Sequence, residues 1–497
     1  MTVLAKLREM REFAGAPQTT GLSDAVVESF SARYPQLVTA INEAHRIWKD
    51  LKGSNSDWFK KSELDAISGI QDGFLNFYQD VAINPYVALY AKGPWVVTTH
   101  GAVVHDSGGY GMLGLGHGPD AVIEAMSRDV VMANIMTANL SQRRFLDAMH
   151  KELGHNRKGE KRKPYDKLLC LNSGSEAMTV ACRISDIEAK NLTDPGGRYA
   201  GRKIRFLSQN GSFHGRTERP ARVSHSSRKG YQVLASFRED TQLDTITPGN
   251  IDELRRVFAD AEKNGIYYEA MFIEPVMGEG NPGMPLSRAF YDEARKLTKE
   301  HGTLLVIDSI QAGLRATGNL SLCDYPGFED CEAPDMESYS KAINAGQYPL
   351  SVLALSGKAA ALYKKGVYGN TMTTNPRALD VACAVLSSLT PQLRQNIVDR
   401  GHEFVRKFTE LQKEFPGVIT KVQGTGLLFS VELAEEGYTV LGKTCVELDM
   451  RHNGIGVIHG GKNALRFTPH FGITTDEIDL IVDGVRKSLA KGPIYKD

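Results

Sequence analysis

Leu169-Cys170-Leu171-Asn172-Ser173-Gly174-Ser175-Glu176-Ala177 holds a strand end, a turn of small residues and a helix start in one short stretch. Lys167–Leu171 reads as a strand and Glu176–Lys190 as the helix after it. At such a junction the first helical N–H groups lack partners inside the helix. The positive end of the helix dipole faces the same point. That arrangement suits a phosphate, with Ser173 and Ser175 adding hydroxyl donors. A plain helix cap is the alternative reading of the same Ser-Gly-Ser-Glu run.

The pattern repeats outward from this point. Between about 165 and 370, strand-like runs at Lys167–Leu171, Lys203–Ser208, Ala270–Ile273, Thr303–Ile307 and Val352–Leu355 alternate with helical runs. The helical runs include Ile251–Asn264, Ser287–His301 and Arg377–Leu389. Such alternation predicts an α/β domain with a mainly parallel sheet, whose ligands gather at the carboxyl ends of its strands. Upstream, Trp95–Thr99 and Ala102–His105 read as a hairpin around His100-Gly101, followed by the glycine-rich run Gly108–Gly118. Residues 1–95 read mainly as helix, through Asp24–Leu51 and Trp58–Asp80, and serve as a packing or oligomerisation extension. Downstream, helices at Leu393–Phe415, Thr444–Asn453 and Thr475–Leu489 surround strand candidates Gly424–Leu433 and Ala464–Thr468. The expected domains are therefore a helical extension over 1–95, a large domain over 96–376 and a smaller α+β domain over 377–497.

Composition narrows the function. In 497 residues, Lys+Arg and Asp+Glu are both 59, so net charge is zero. That argues against nucleic acid or an anionic membrane as the main partner. No apolar stretch approaches the ~20 residues needed to span a bilayer. The start, MTVLAKLREMREF, lacks an apolar signal core, and Glu9 and Glu12 weaken a transit reading. Cysteines at 170, 182, 323, 331, 383 and 445 form no CxxC pair, so no zinc site or disulfide framework is indicated. Reduced, buried thiols in a cytoplasmic enzyme are the plain expectation.

Lys341 lies in the loop Ser340-Lys341-Ala342-Ile343-Asn344-Ala345-Gly346, and the run Thr303–Ile307 ends at Asp308. A lysine in such a loop and an acid at a strand tip are the minimal apparatus for pyridoxal phosphate (PLP). The lysine bonds the aldehyde, and the acid keeps the pyridine nitrogen protonated. Taken singly, each motif has a bland alternative. Lys341 could be a solvated charge and Asp308 a helix cap. Phe213, beside His214 in Gly211–Thr217, either lies over a planar ring or fills the core. Glu274 and Glu279 are either site carboxylates or solvated loop acids. Asn370-Thr371 opens a polar turn ahead of a helix. Arg466, inside the apolar run Ala464–Phe467, is either paired internally or waits for a carboxylate.

Taken in order, these pieces resemble the class III PLP-dependent aminotransferases of fold type I, from about Val97 to the C-terminus. This is the group of ornithine, 4-aminobutyrate and acetylornithine aminotransferases. The resemblance implies a large domain with a mainly parallel seven-stranded sheet, a smaller α+β domain, and a homodimer. Gly174 and Ser175 match phosphate contacts, Phe213 the ring-stacking aromatic with His214 beside it, and Glu274 a glutamate near the cofactor. Asp308 matches the acid on the pyridine nitrogen, Gln311 the glutamine at the phenolic oxygen, and Lys341 the Schiff-base lysine. Thr371 resembles the threonine that reaches the phosphate across the dimer interface. Glu279 and Arg466 match a pair that handles the substrate carboxylate. The implied reaction moves an amino group from an amino acid or omega-amine to a keto acid, 2-oxoglutarate or pyruvate, by a ping-pong route. An aminomutase, racemase or decarboxylase of the same fold would use the same lysine and acid without needing a keto acid. A non-catalytic binding protein on the fold would have no use for the set. The chain departs from the family's Asp-Glu-x-Gln, having Asp308-Ser309-Ile310-Gln311, and from its usual sequence in Leu314–Gly318 and Thr373-Thr374. It also carries an acidic insertion, Cys323–Asp335.

Overall fold

The computed structural model describes residues 1–238 and 242–493. Its central sheet has seven strands. They are β1 (Lys167–Leu171), β2 (Lys203–Gln209), β3 (Leu243–Ile246), β4 (Ile266–Ile273), β5 (Leu304–Asp308), β6 (Met336–Tyr339) and β7 (Ser351–Leu355). Their order is β1-β7-β6-β5-β4-β2-β3. The pairs β2–β3, β2–β4, β4–β5 and β5–β6 are parallel, and β7 runs against both its neighbours. All strands except β7 therefore point their carboxyl ends the same way. β5, Leu-Leu-Val-Ile-Asp, is buried throughout, as a central parallel strand covered on both faces must be.

The helix Gly174–Thr193 follows β1. Ser173 caps it, and the Ser173 and Glu176 side chains satisfy each other's backbone N–H groups. Its buried stripe of Ala177, Met178, Val180, Ala181 and Ile184 packs with Leu171, Leu304, Val306 and Leu353 from the sheet. Burying one such aliphatic side chain contributes about 1.5–3 kcal/mol, so this helix start is held firmly against the strand ends.

Two strands escaped the sequence reading. β3 is Leu-Asp-Thr-Ile, and β6 is Met-Glu-Ser-Tyr, fully buried despite its polar residues. The expected helix over Asp24–Leu51 is two helices, Asp24–Ser31 and Pro35–Lys52, because Pro35 starts a new helix at its first turn. Within Trp58–Asp80 the regular helix is Glu63–Gln71, preceded by a short turn at Ser56–Phe59. Gly424–Leu433 is the turn and second arm of a hairpin, Ile419–Thr425 with Leu428–Leu433.

The chain divides into two compact units, Ala121–Val398 and Met1–Asp120 with Asp399–Asp497. This differs from expected boundaries at 95/96 and 376/377, and residues 494–497 lie outside the described ones. Inside the second unit, Val103–Asp106 pairs in parallel with Ile455-Gly456, which ties the hairpin to the C-terminal segment. Its other sheet contains Ile419–Thr425, Leu428–Leu433, Ala464–Phe467 and Ile458–Gly460. Phe404, Phe429 and Phe467 stack there, with centroids 4.0 and 4.9 Å apart. Among the described residues, no helix is long and apolar enough to cross a membrane.

Candidate active site

The shared direction of the strands decides what meets at their carboxyl edge. β1 delivers Ser173–Ser175, β2 leads to Phe213 and His214, β4 to Glu274, β5 to Asp308 and Gln311, and β6 to Ser340 and Lys341. These residues, with Gly215 and Ile310, line one cavity of about 190 Å³. Of the predicted site residues in this unit, Glu279 and Thr371 are not in that lining.

Asp308 is 5% exposed. Its Oδ2 lies 2.9 Å from His214 Nδ1, and its Oδ1 accepts from the Ile310 N–H at 3.1 Å and Ser338 Oγ at 3.3 Å. A buried carboxylate needs such partners, since an unpaired one is prohibitively costly. His214 is held on its backbone side as well, its N–H donating to Ser224 Oγ at 2.8 Å.

Lys341 opens a short helical turn, Lys341–Asn344, with its backbone in the left-handed region at φ 46°. That conformation is uncommon for a residue with a side chain, and such strain gathers at functional sites. The half-buried Nζ donates to Gln311 Oε1 at 3.2 Å. The amine and the amide are thus brought together from adjacent strands.

Glu274 accepts from the Phe213 N–H at 3.0 Å and the Gly278 N–H at 2.8 Å, one on each oxygen. It therefore ties the β2 and β4 ends together. Burial pushes its carboxyl up to about 7, opposed by His214 and aided by Asp308. A carboxyl raised from 4.5 contributes stability that is fully present below its unfolded pKa and is lost as pH rises through about 7. The term is on the order of 3 kcal/mol. Glu274→Gln is expected to flatten melting temperature against pH, relative to wild type, between about pH 5 and 8. Parallel curves for the two proteins would show that Glu274 does not titrate there.

The strand–turn–helix junction stands where the sequence reading put it, and Ser173 fills the helix-cap role that was its alternative reading. Ser173 Oγ is engaged by the Glu176 N–H, and Ser175 Oγ accepts from the Arg216 N–H at 3.2 Å. The Glu176 carboxylate also takes Tyr368 OH and Asn370 Nδ2, each at 2.7 Å, anchoring the segment before Thr371. Thr371 itself is exposed. Phe213 borders the cavity, and the Arg216 guanidinium lies 5.2 Å from its ring centre. Glu279 is half-buried after β4. Arg466 is buried in the other unit, in register with Ser430 on one side and Ile458 on the other. Sequence reasoning missed Ser338, on the half-polar strand β6, and Ser340, in the loop after it.

The cavity suits a flat, anionic ring compound. The Gly174 and Ser175 N–H groups begin a long helix at its edge. Backbone packs closely there: a Cβ on Gly174 would lie 2.7 Å from Ile310 Cδ1, and one on Gly278 would lie 2.2 Å from Gln311 Oε1. His214 Nε2 is buried without a hydrogen-bond partner among the described residues. An acid, a lysine and a phosphate cradle in one pocket are the parts PLP requires.

Fold and cavity together define a PLP-dependent enzyme of fold type I. The chain belongs to the class-III aminotransferase family, whose model matches residues 78–489. Among solved structures it is similar to the ornithine aminotransferase of Toxoplasma gondii ME49. The identity is 23% with a TM-score of 0.73, covering 89% of this chain and 98% of that one. The acetylornithine aminotransferase of Elizabethkingia anophelis gives 21% identity and a TM-score of 0.68, over 87% and 100% of the two chains. The taurine:2-oxoglutarate aminotransferase of Bifidobacterium kashiwanohense, solved with PLP and glutamate, gives 14% and 0.71, over 86% and 98%.

Proposed function

We propose that this aminotransferase takes the amino group of an amino acid or omega-amine and gives it to a keto acid, 2-oxoglutarate or pyruvate, in two half-reactions at one site. The observation that carries this reading is the placing of Lys341 Nζ at 3.2 Å from Gln311, beside the buried Asp308–His214 pair. PLP, when bound, supplies an electron sink for charge developing at the carbon that bears the amine. Lys341 is the residue that holds the cofactor, and its Nζ takes and returns the proton at the reacting carbon. Asp308 provides a fixed negative charge for the ring nitrogen. Ser173, Gly174 and Ser175 would hold its phosphate, and Phe213, His214, Glu274 and Gln311 would hold its ring. In a homodimer, Thr371 of the partner subunit completes the phosphate contacts.

A spectral screen tests the reaction. Amino acids and amines are added to PLP-loaded enzyme, with Lys341→Ala as control, and the visible band is followed. A donor should bleach the band, and a keto acid should restore it. No bleaching with any donor would sink the proposal. Turnover without a keto acid would point to a mutase, racemase or decarboxylase.

Arg466 is assigned to the keto-acid carboxylate, and Glu279 is assigned to substrate binding. Arg466→Ala should slow the keto-acid half-reaction by roughly tenfold to a hundredfold, the worth of a charge-assisted hydrogen bond, and the amine half-reaction much less. Equal losses in rapid-mixing measurements of the two halves would count against this assignment of Arg466.

A further inference from the structure

Glu337 is a fully buried acid, 0% exposed, that the proposed reaction does not use. It lies on β6, where alternate side chains point to opposite faces. Its neighbour Ser338 turns to Asp308. Glu337 faces a different group of donors. Its Oε1 accepts from Ser309 Oγ at 2.5 Å and from the Leu322 N–H at 2.8 Å. Its Oε2 accepts from Tyr165 OH at 2.5 Å and Ser321 Oγ at 2.6 Å.

All four of these donors are neutral, and they fill the roughly four acceptor positions of an ionised carboxylate. A protonated acid would push an O–H into a shell made of donors. Burial raises the carboxyl's pKa, and the hydrogen bonds oppose that rise. The carboxylate joins the lead-in to β1, the turn after β5, the Ser321-Leu322 segment and β6. Ser309 is pinned twice, since its N–H also donates to Ser338 O at 3.0 Å. On either side of Ser309 stand Asp308 and, two residues on, Gln311, both facing the cavity.

We propose that Glu337 is a positioning residue: by anchoring Ser309 it fixes the turn that aims Asp308 at the cofactor and Gln311 at Lys341. Its effect on turnover rests on the aminotransfer reading above; its effect on the turn does not. Glu337→Gln keeps the shape but turns two donors into a shell of donors. Ser309→Ala removes one hydroxyl and leaves the core volume nearly unchanged.

Three quantities are read for wild type and both variants: hydrogen exchange of the peptide 304–314, the dissociation constant for PLP, and kcat. In Glu337→Gln that peptide should exchange about tenfold faster, beyond any change elsewhere. PLP affinity and kcat should each fall about tenfold. Ser309→Ala should move all three in the same direction by a smaller factor, with melting temperature little changed. A role in stability alone would lower the melting temperature while leaving the 304–314 peptide unexceptional and kcat within about twofold of wild type; that result overturns the proposal. If Glu337→Gln fails to fold, unchanged exchange in Ser309→Ala overturns it equally. A wild type inactive with every donor would sink the aminotransfer reading, and exchange and PLP affinity would still decide this one.

Discussion

Replacing Lys341 by alanine should reduce kcat by about ten-thousandfold or more, the upper range for removing a positioned proton carrier. The fold should survive the change. Lys341 is half-buried, and its Nζ donates to Gln311 Oε1 at 3.2 Å. Alanine meets the same left-handed backbone at φ 46° with a similar steric cost, since neither residue is β-branched. A stability change within about 1 kcal/mol is therefore expected, checked by melting temperature and circular dichroism. Activity and stability should separate cleanly. With every amino donor, the variant should show no conversion on the time scale of wild-type turnover. A small primary amine in the buffer should restore part of the rate, because the missing group is an amine at a known place. Activity within tenfold of wild type would remove Lys341 from the centre of the reaction.

The parts of this site were legible because of where parallel strands end. β1, β2, β4, β5 and β7 announce themselves by apolar runs, and the residues after four of them carry recognisable chemistry. β6 was illegible for a definite reason. Its Glu337 and Ser338 are tolerated in the core because their partners, Ser309, Ser321, Tyr165 and Asp308, arrive from other segments. Local sequence cannot show that a buried acid will be satisfied 172 residues away, as Glu337 is by Tyr165. On the edge strand β3 the half-buried Asp244 is likewise met from another segment, by Tyr268 at 2.6 Å. The departure at Ser309 could be seen in the sequence, but its partner could not. The two-helix break at Pro35 is, by contrast, written in the local sequence, since Pro35 stands at the first position of the second helix. Thr371 is exposed, so its own surroundings carry no sign of the role that the resemblance gives it.

Asp308→Asn should cost about 3–4 kcal/mol of transition-state stabilisation, a drop of several hundredfold in kcat. Asparagine keeps the size and one oxygen of the acid, so the Ile310 and Ser338 contacts at 3.1 and 3.3 Å can persist. The contact to His214 cannot persist unchanged. Its Nδ1, now 2.9 Å from a carboxylate oxygen, would face an amide N–H and would have to become the acceptor. The ring proton then moves to Nε2, which is buried and has no partner among the described residues. Leaving that N–H unmet should cost the fold about 1–3 kcal/mol, a loss visible as a lower melting temperature. The kinetic pattern identifies the role. A charge that serves the ring nitrogen is needed in both halves of the reaction, so both should slow by the same factor. Arg466→Ala, in contrast, should slow mainly one. Measured with the cofactor fully bound, equal slowing of both halves is the expected result. If Asp308→Asn retained wild-type rates once saturated with PLP, the carboxylate would be a binding group and the ring charge would have to be held elsewhere.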